Sequence, residues 1–342
     1  MSSTSNRARI SRRAVLQAGV ALPLFSPAIV RAAGAEFSYK FATGQDPTHP
    51  LNIRLKEAFD RIREKSGGKL EINLFPANQL GTETNVLSQI RNGGIELLIL
   101  SASILATYVP VSGIANTAYA FGSYPDVWKA VDGSLGKYIQ AQITNAGIVP
   151  NGRIWDNGFR QVTSSTRDIR APEDMVGFKI RVPPAPMLTS FFTAIGAAPT
   201  PMNFAEVYTA LQTKVIEGQE NGLSLIATTR LYEVQKYCAL TNHSWDGYWP
   251  LANRDAWQQL PANLRELITA ELDRSAEDER KDLEARDKAM RAELTTKGMT
   301  FRDVDVGKFR EVLVKTTYYG DWKAKYGNEA WGQLEAVTGK LA

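Results

Sequence analysis

Arg181 ends a strand predicted over 178–182, directly before Val182-Pro183, where proline takes the chain out of a sheet. A guanidinium there can offer its planar fork to a carboxylate as a bidentate pair, a geometry lysine cannot reproduce. The plain alternative for an arginine at a strand end is a surface ion pair. Arg160 lies 21 residues earlier, after Gly158-Phe159, and Asn221 lies 40 residues later, at the end of Gln219-Glu220-Asn221. An asparagine both donates and accepts, which suits a carboxylate oxygen or a hydroxyl. Trp155, Asn157, Trp245, Asp246 and Tyr248 gather near two segments where the chain changes domain. An indole face packs against an aromatic acid or the C–H face of a sugar acid, or simply fills a core. Of these aromatics, Trp245 is the one expected to cover a ligand.

Enzyme chemistry has little to build on. The chain holds two histidines, His49 and His243, and one cysteine, Cys238. It contains no Gly-x-Ser-x-Gly elbow, no Gly-x-Gly-x-x-Gly turn, no phosphate loop and no His-Glu-x-x-His. Binding without turnover is the expected class, with no catalytic residue, metal or cofactor.

The elements that must position these groups alternate. A strand over 37–41 is followed by a helix over 51–65 with Leu51, Leu55, Ala58, Phe59 and Ile62 on one face, stopped by Gly67-Gly68. A strand over 70–74, a helix around Val86, Leu87 and Ile90, and an almost wholly apolar strand over 95–100 complete a unit that predicts a parallel sheet wrapped by helices. The pattern restarts with a strand over 178–182, helices over 186–195 and 203–214, and strands near 217–219 and 237–241. Between the two units the chain crosses at 154–163 and again at 241–249, so the first domain is discontinuous in sequence. Residues 261–297 are highly charged yet keep an apolar stripe, predicting a helix on the order of 50 Å long.

Ser11-Arg12-Arg13 precedes a short apolar run and then Ala32-Ala33-Gly34-Ala35, the pattern of a twin-arginine secretory leader over 1–35. The apolar run is broken by Pro23 and Pro27 and is too short to span a bilayer. Of the formal +4 charge, the leader contributes five arginines and no acidic residue, which leaves −1 on the remainder. Neither a nucleic-acid partner nor membrane insertion is expected. One cysteine allows no internal disulfide, so the fold must rest on its core.

Trp155-Asp156-Asn157-Gly158-Phe159-Arg160, Gly177-Phe178-Lys179-Ile180-Arg181-Val182-Pro183 and Gly218-Gln219-Glu220-Asn221, together with the leader, resemble the solute-binding component of a tripartite ATP-independent periplasmic (TRAP) transporter, of the dicarboxylate-binding type. The resemblance implies a two-domain α/β periplasmic-binding-protein fold, closing like a flytrap, with the long helix bracing both domains. It implies a leader over 1–35, domain I over 36–157 plus 246–285, and domain II over 158–245 plus 286–342 with the C-terminal helices. It further implies that Arg181, Arg160 and Asn221 reach a small organic acid: a short hydroxy or keto acid, an aromatic acid or a sugar acid. His49 and Glu83 would face the cleft in such a protein, though each also stands where it could merely cap a helix. The implied partners are membrane subunits of the transporter, the location the periplasm, the state a monomer. An ABC-type or sensory periplasmic binding protein for a carboxylate is the alternative. The family usually has proline after the asparagine, where this chain has Gly222.

Overall fold

The computed structural model describes residues 34–341; the leader lies outside the described residues apart from its last two positions. The strands, in chain order, are β1 Phe37–Ala42, β2 Leu70–Phe75, β3 Leu97–Ser101, β4 Ile148–Pro150, β5 Trp155–Phe159, β6 Gln161–Ser164, β7 Lys179–Val182, β8 Ala198–Pro201, β9 Gly218–Asn221, β10 Tyr237–Leu240, β11 Trp245–Asn253 and β12 Thr300–Asp303. They form two sheets. The first runs β2-β1-β3-β11-β4 with β5 also on β11, and the second runs β12-β10-β6-β9-β7-β8.

Neither sheet is purely parallel. In the first, β1, β2 and β3 are parallel, but β11 returns from the other lobe and pairs antiparallel with β3, β4 and β5. In the second, β6 is antiparallel to both its neighbours, while β7, β8 and β9 run together. The departure from the expected parallel sheet has one cause. A chain that crosses between lobes twice must insert its crossing strands into a sheet already built from right-handed strand-helix units. The crossings are β5 into β6, through Arg160, and β10 into β11, through 241–244.

Apolar spacing explains the layers. Helix Pro50–Lys65 buries Leu55, Phe59 and Ile62 against one face of the first sheet, together with Leu264, Ile268 and Leu272 of helix Ala262–Thr296. That long helix has 35 residues, about 52 Å at 1.5 Å each. On the first lobe it is held by Arg61 Nε to Glu271 (2.6 Å) and Arg54 Nε to Asp282 (2.7 Å). Its far end places Met290 and Leu294 in a core with Ile226, Leu231 and Cys238 of the second lobe. Burial pushes the Cys238 thiol well above its ordinary range.

Helix Tyr318–Thr338, kinked at Gly327, is expected with domain II but packs chiefly on the first lobe, against 110–116, Tyr124–Val131 and Ser134–Asn145. Tyr318 OH accepts from Ala118 N (3.2 Å) and Tyr319 OH donates to Ala118 O (2.9 Å). Its row of aromatics, Tyr318, Tyr319, Trp322, Tyr326 and Trp331, is buried there because the helices of the first lobe leave an apolar face uncovered. The predicted helix over 203–214 is shorter, a tight turn at Phe204–Glu206 followed by Val207–Gln212. Among the described residues no helix is long and apolar enough to cross a membrane.

Candidate functional site

The carboxyl ends of β1, β3 and β7, the first crossing and the start of β11 face one cavity between the sheets. Strand ends are where open α/β sheets leave room for ligands, because the loops that follow diverge. The second lobe contributes Arg181, Pro183, Phe204, Asn221 and Leu225, and Arg160 enters from the crossing. From the first lobe come Gln45, Asn78, Glu83, Ser101, Asn157, Asp246 and Tyr248, among others.

Arg181 and Arg160 differ sharply in company. Arg181 is 1% exposed, and among the described residues its hydrogen bonds go only to Met202 O, from Nε (2.9 Å) and Nη2 (2.6 Å). Among the described residues no carboxylate pairs with it. Its guanidinium lies 5.6 Å from the Phe204 ring centroid. Burial lowers its pKa to about 10; the Arg160 charge adds to this, and the more distant carboxylates of Glu220, Glu83 and Glu206 oppose it. A buried cation held by one carbonyl is costly and retains unused donors aimed at the cavity.

Arg160 is 2% exposed and surrounded by acceptors. Its Nε donates to Glu220 Oε2, its Nη2 to Glu220 Oε1 (2.8 Å), Glu220 O (2.9 Å) and Asn221 Oδ1 (2.9 Å), and its Nη1 to Asp246 Oδ2 (3.4 Å). Burial works against the charged form of Glu220, but the Arg160 charge and the hydrogen bonds from His243 and Arg160 prevail and hold it down to about 2. His243 is itself wedged between Thr241 Oγ1 (2.8 Å) and Glu220 Oε2 (3.0 Å) and stacks on Phe191 with centroids 5.3 Å apart. Burial lowers its pKa despite Glu220.

Asp246 is equally occupied. Its Oδ2 accepts from Ser101 (2.6 Å), Ser103 (3.2 Å) and Asn157 Nδ2 (3.2 Å), and its Oδ1 from Asn116 Nδ2 and Gly247 N (both 2.9 Å). Asn221 Nδ2 donates to Gln219 Oε1 (2.6 Å). The residue after it explains one departure in the sequence: a Cβ on Gly222 would lie 2.3 Å from Asn157 O. The two lobes touch backbone to backbone here, and only glycine fits without a shift.

Three predicted ligand residues sit elsewhere. Trp245 is buried in the first lobe, edge-on to Trp128 (5.6 Å) and Phe121 (6.5 Å), and its Nε1 donates to Asp156 Oδ1 (2.8 Å). Neighbouring strand residues point to opposite faces, so the strand that aims Asp246 into the cavity aims Trp245 away from it. Trp155 is fully buried in the core beneath helix Pro50–Lys65. His49 caps that helix, its Nδ1 accepting from Leu51 N (3.2 Å), and burial with the Arg286 charge lowers its pKa to about 3, so it stays neutral for the role. Glu83, Asn157, Asp246, Asn221, Arg160 and Arg181 line the cavity together.

Sequence reasoning missed Gln45, Asn78, Ser101 and Glu220. The first three follow β1, β2 and β3 or end them, a position that is itself a signal. Glu220 carried none beyond lying next to Asn221. Also unforeseen is a seam between the lobes, where Asn203 Oδ1 accepts from Thr84 N (3.4 Å) and Thr84 Oγ1 (3.3 Å), and Phe204 N donates to Glu83 Oε2 (3.3 Å). Thr82, the local N-cap of helix Glu83–Arg91, makes no capping bond. The cap comes from the opposite lobe.

Residues 41–318 match DctP, the bacterial extracellular solute-binding protein family 7. The chain is 30% identical over 260 residues, 76% of its length and 78% of the relative's, to the 2,3-diketo-L-gulonate-binding periplasmic protein YiaO of Escherichia coli. It is 33% identical over 264 residues to the uncharacterized protein y4mM of Sinorhizobium fredii and spans 48% of that longer protein. Two crystal structures superpose closely. The sugar acid binding protein of Advenella mimigardefordensis with galactonate has TM-score 0.85 and 27% identity, covering 89% of this chain and 98% of that one. A TRAP periplasmic solute binding protein of Sulfurospirillum deleyianum with bound succinate has TM-score 0.84 and 26% identity, covering 89% and 99%.

Proposed function

Because this chain belongs to the DctP family of bacterial extracellular solute-binding proteins, we propose that it is a periplasmic receptor that captures a small organic acid between its lobes and passes it to the membrane subunits of a TRAP transporter. The observation that carries the reading is Arg181, a buried guanidinium in the interlobe cavity with no anionic partner among the described residues. A ligand carboxylate supplies the missing anion as a bidentate pair. Asn221 and the residual donors of Arg160 orient it, and Asp246 and Glu220 keep Arg160 in place.

The work is binding, performed by a monomer without cofactor or turnover. Bringing the lobes together expels water and strengthens the ion pair in the drier medium. It also forms the seam between Asn203 and Thr84, which an open cleft cannot make, so ligand selects the closed arrangement. The galactonate, succinate and 2,3-diketo-L-gulonate of the relatives named above have a carboxylate in common.

Thermal melting of the purified protein against dicarboxylates, sugar acids, short keto acids and aromatic acids tests this. At about 100 times Kd a ligand adds about 2.7 kcal/mol of stability, a clear shift in Tm. A shift with one acid class is expected. No shift with any acid, in protein shown by mass spectrometry after denaturation to carry no co-purified ligand, would overturn the reading.

A further inference from the structure

The first lobe's share of the cavity lining is rich in acceptors that lack donors. Asn157 is 5% exposed; its Nδ2 is given to Asp246, which fixes the amide orientation and leaves Oδ1 buried with no partner. Gln45, 7% exposed, gives Nε2 to Tyr248 OH (2.9 Å) and leaves Oε1 equally alone. Glu83, also 7% exposed, has only two long contacts among the described residues, from Asn78 Nδ2 (3.5 Å) and Phe204 N (3.3 Å), and no cation pairs with it. Buried acceptors without donors are expensive, and a native site leaves them so where a ligand completes them.

These acceptors come from three separate segments, the loop after β1, the start of helix Glu83–Arg91 and β5. Several donors are therefore needed at several places, which a chain of hydroxyls provides and a single ammonium group does not. The cavity's cations are also fully committed once one carboxylate has bound. Arg160 belongs to Glu220 and Asp246, and Arg181 takes the ligand's first carboxylate. A second carboxylate would sit beside Glu83 with no positive charge left to answer it, and like charges at close range strongly reject a wrong partner.

Resting on the receptor reading above, we infer that the cleft takes a polyhydroxylated monocarboxylate, with Glu83 accepting from its hydroxyls and excluding dicarboxylates. Asn157 and Gln45 take further hydroxyl hydrogens, and Leu80, Val86 and Leu225 cover the carbon backbone.

Titration calorimetry of the purified protein with L-galactonate, L-gulonate and D-erythronate, against succinate, pyruvate and L-serine, provides the test. At least one of the three hydroxy acids should bind about 100-fold more tightly than succinate, pyruvate or serine. Glu83→Gln should weaken that acid about tenfold and narrow its margin over succinate, and Glu83→Arg should favour succinate outright. Succinate, pyruvate or serine binding as tightly as the best hydroxy acid would overturn the inference and leave the receptor reading standing. So would a hydroxy-acid-to-succinate ratio unchanged in Glu83→Gln, a variant that keeps the size of the side chain. If no carboxylate of any kind binds, it is the receptor reading itself that fails.

Discussion

Arg160 and Arg181 face the same cavity, are equally buried, and have opposite surroundings. Each nitrogen of Arg160 meets a carboxylate, a carbonyl or an amide oxygen, with one N–H of Nη1 left over, and the acids in turn are tied to serine hydroxyls, a histidine and backbone N–H groups. Around Arg181 there is one carbonyl. The first is part of the protein's own structure; on the function proposed above, the second is half of a pair whose other half arrives from outside. Residue type and burial alone do not separate a structural cation from a binding one. Its complement of partners does.

Removing each arginine should therefore break different properties. Arg160→Met leaves Glu220 and Asp246 buried without their cation, so it should cost about 3–5 kcal/mol of folding stability, read by urea denaturation. Arg181→Met removes an uncompensated charge from the empty protein and should leave stability unchanged or raised, while weakening carboxylate binding by about 2–5 kcal/mol. Arg181→Lys should recover little of that, since the fork is lost. If Arg181→Met instead destabilised the fold as much as Arg160→Met, the contrast would be wrong.

Acid sharpens the same comparison. Glu220 is held at about 2 against an ordinary 4.5, so its contribution is fully present above 4.5 and is lost as pH falls from 4.5 towards 2. His243, lowered from 6.5, likewise supports the fold above 6.5 and ceases to as it protonates in more acidic solution. In Glu220→Gln the loss of stability between pH 4.5 and 2 should be shallower than in the parent, measured by denaturant midpoints at stepped pH. An equal slope would mean that Arg160 is not what holds that carboxylate down. The smallest effect belongs to the seam. Asn203→Ala removes a helix cap that exists only with the lobes together, and should weaken ligand roughly fivefold, about 1 kcal/mol, with the melting point of the ligand-free protein little changed.

Much of this was visible beforehand. Alternating strand and helix periods, the glycine stops and the long charged helix all carry their signals in short windows. The strand end at Arg181 was legible because Pro183 marks it, but its place in the cavity was expected only from the resemblance of Phe178–Pro183 to the family's motif, since a strand-end arginine alone reads as a surface ion pair. The facing of Trp245 and Trp155 was not legible, because β11 is buried along all nine residues and β5 along its first four. A strand buried on both faces, with polar residues such as Asp246 and Asn157 buried among the apolar ones, gives no clean polar-apolar alternation to show which side meets the cavity. His49 was ambiguous between cap and contact, and only the geometry at Leu51 N resolves it. The C-terminal helix was misassigned because sequence proximity to the second lobe's segments says nothing about where an aromatic face finds its complement. Glu220, Gln45 and the cap from Asn203 depend on contacts between distant segments, which no local pattern encodes.

The long helix Ala262–Thr296 has a mechanical consequence. It is seated on the first lobe through Arg54 and Arg61 and embedded in the second through Met290 and Leu294. A rod fixed at both ends suppresses twisting and sliding of one lobe against the other, because each would tear one of its seats. What remains is bending about the two crossings, a single coordinate. An open form confined to one coordinate has few orientations to lose on closing, so little of the binding energy is spent on ordering the protein.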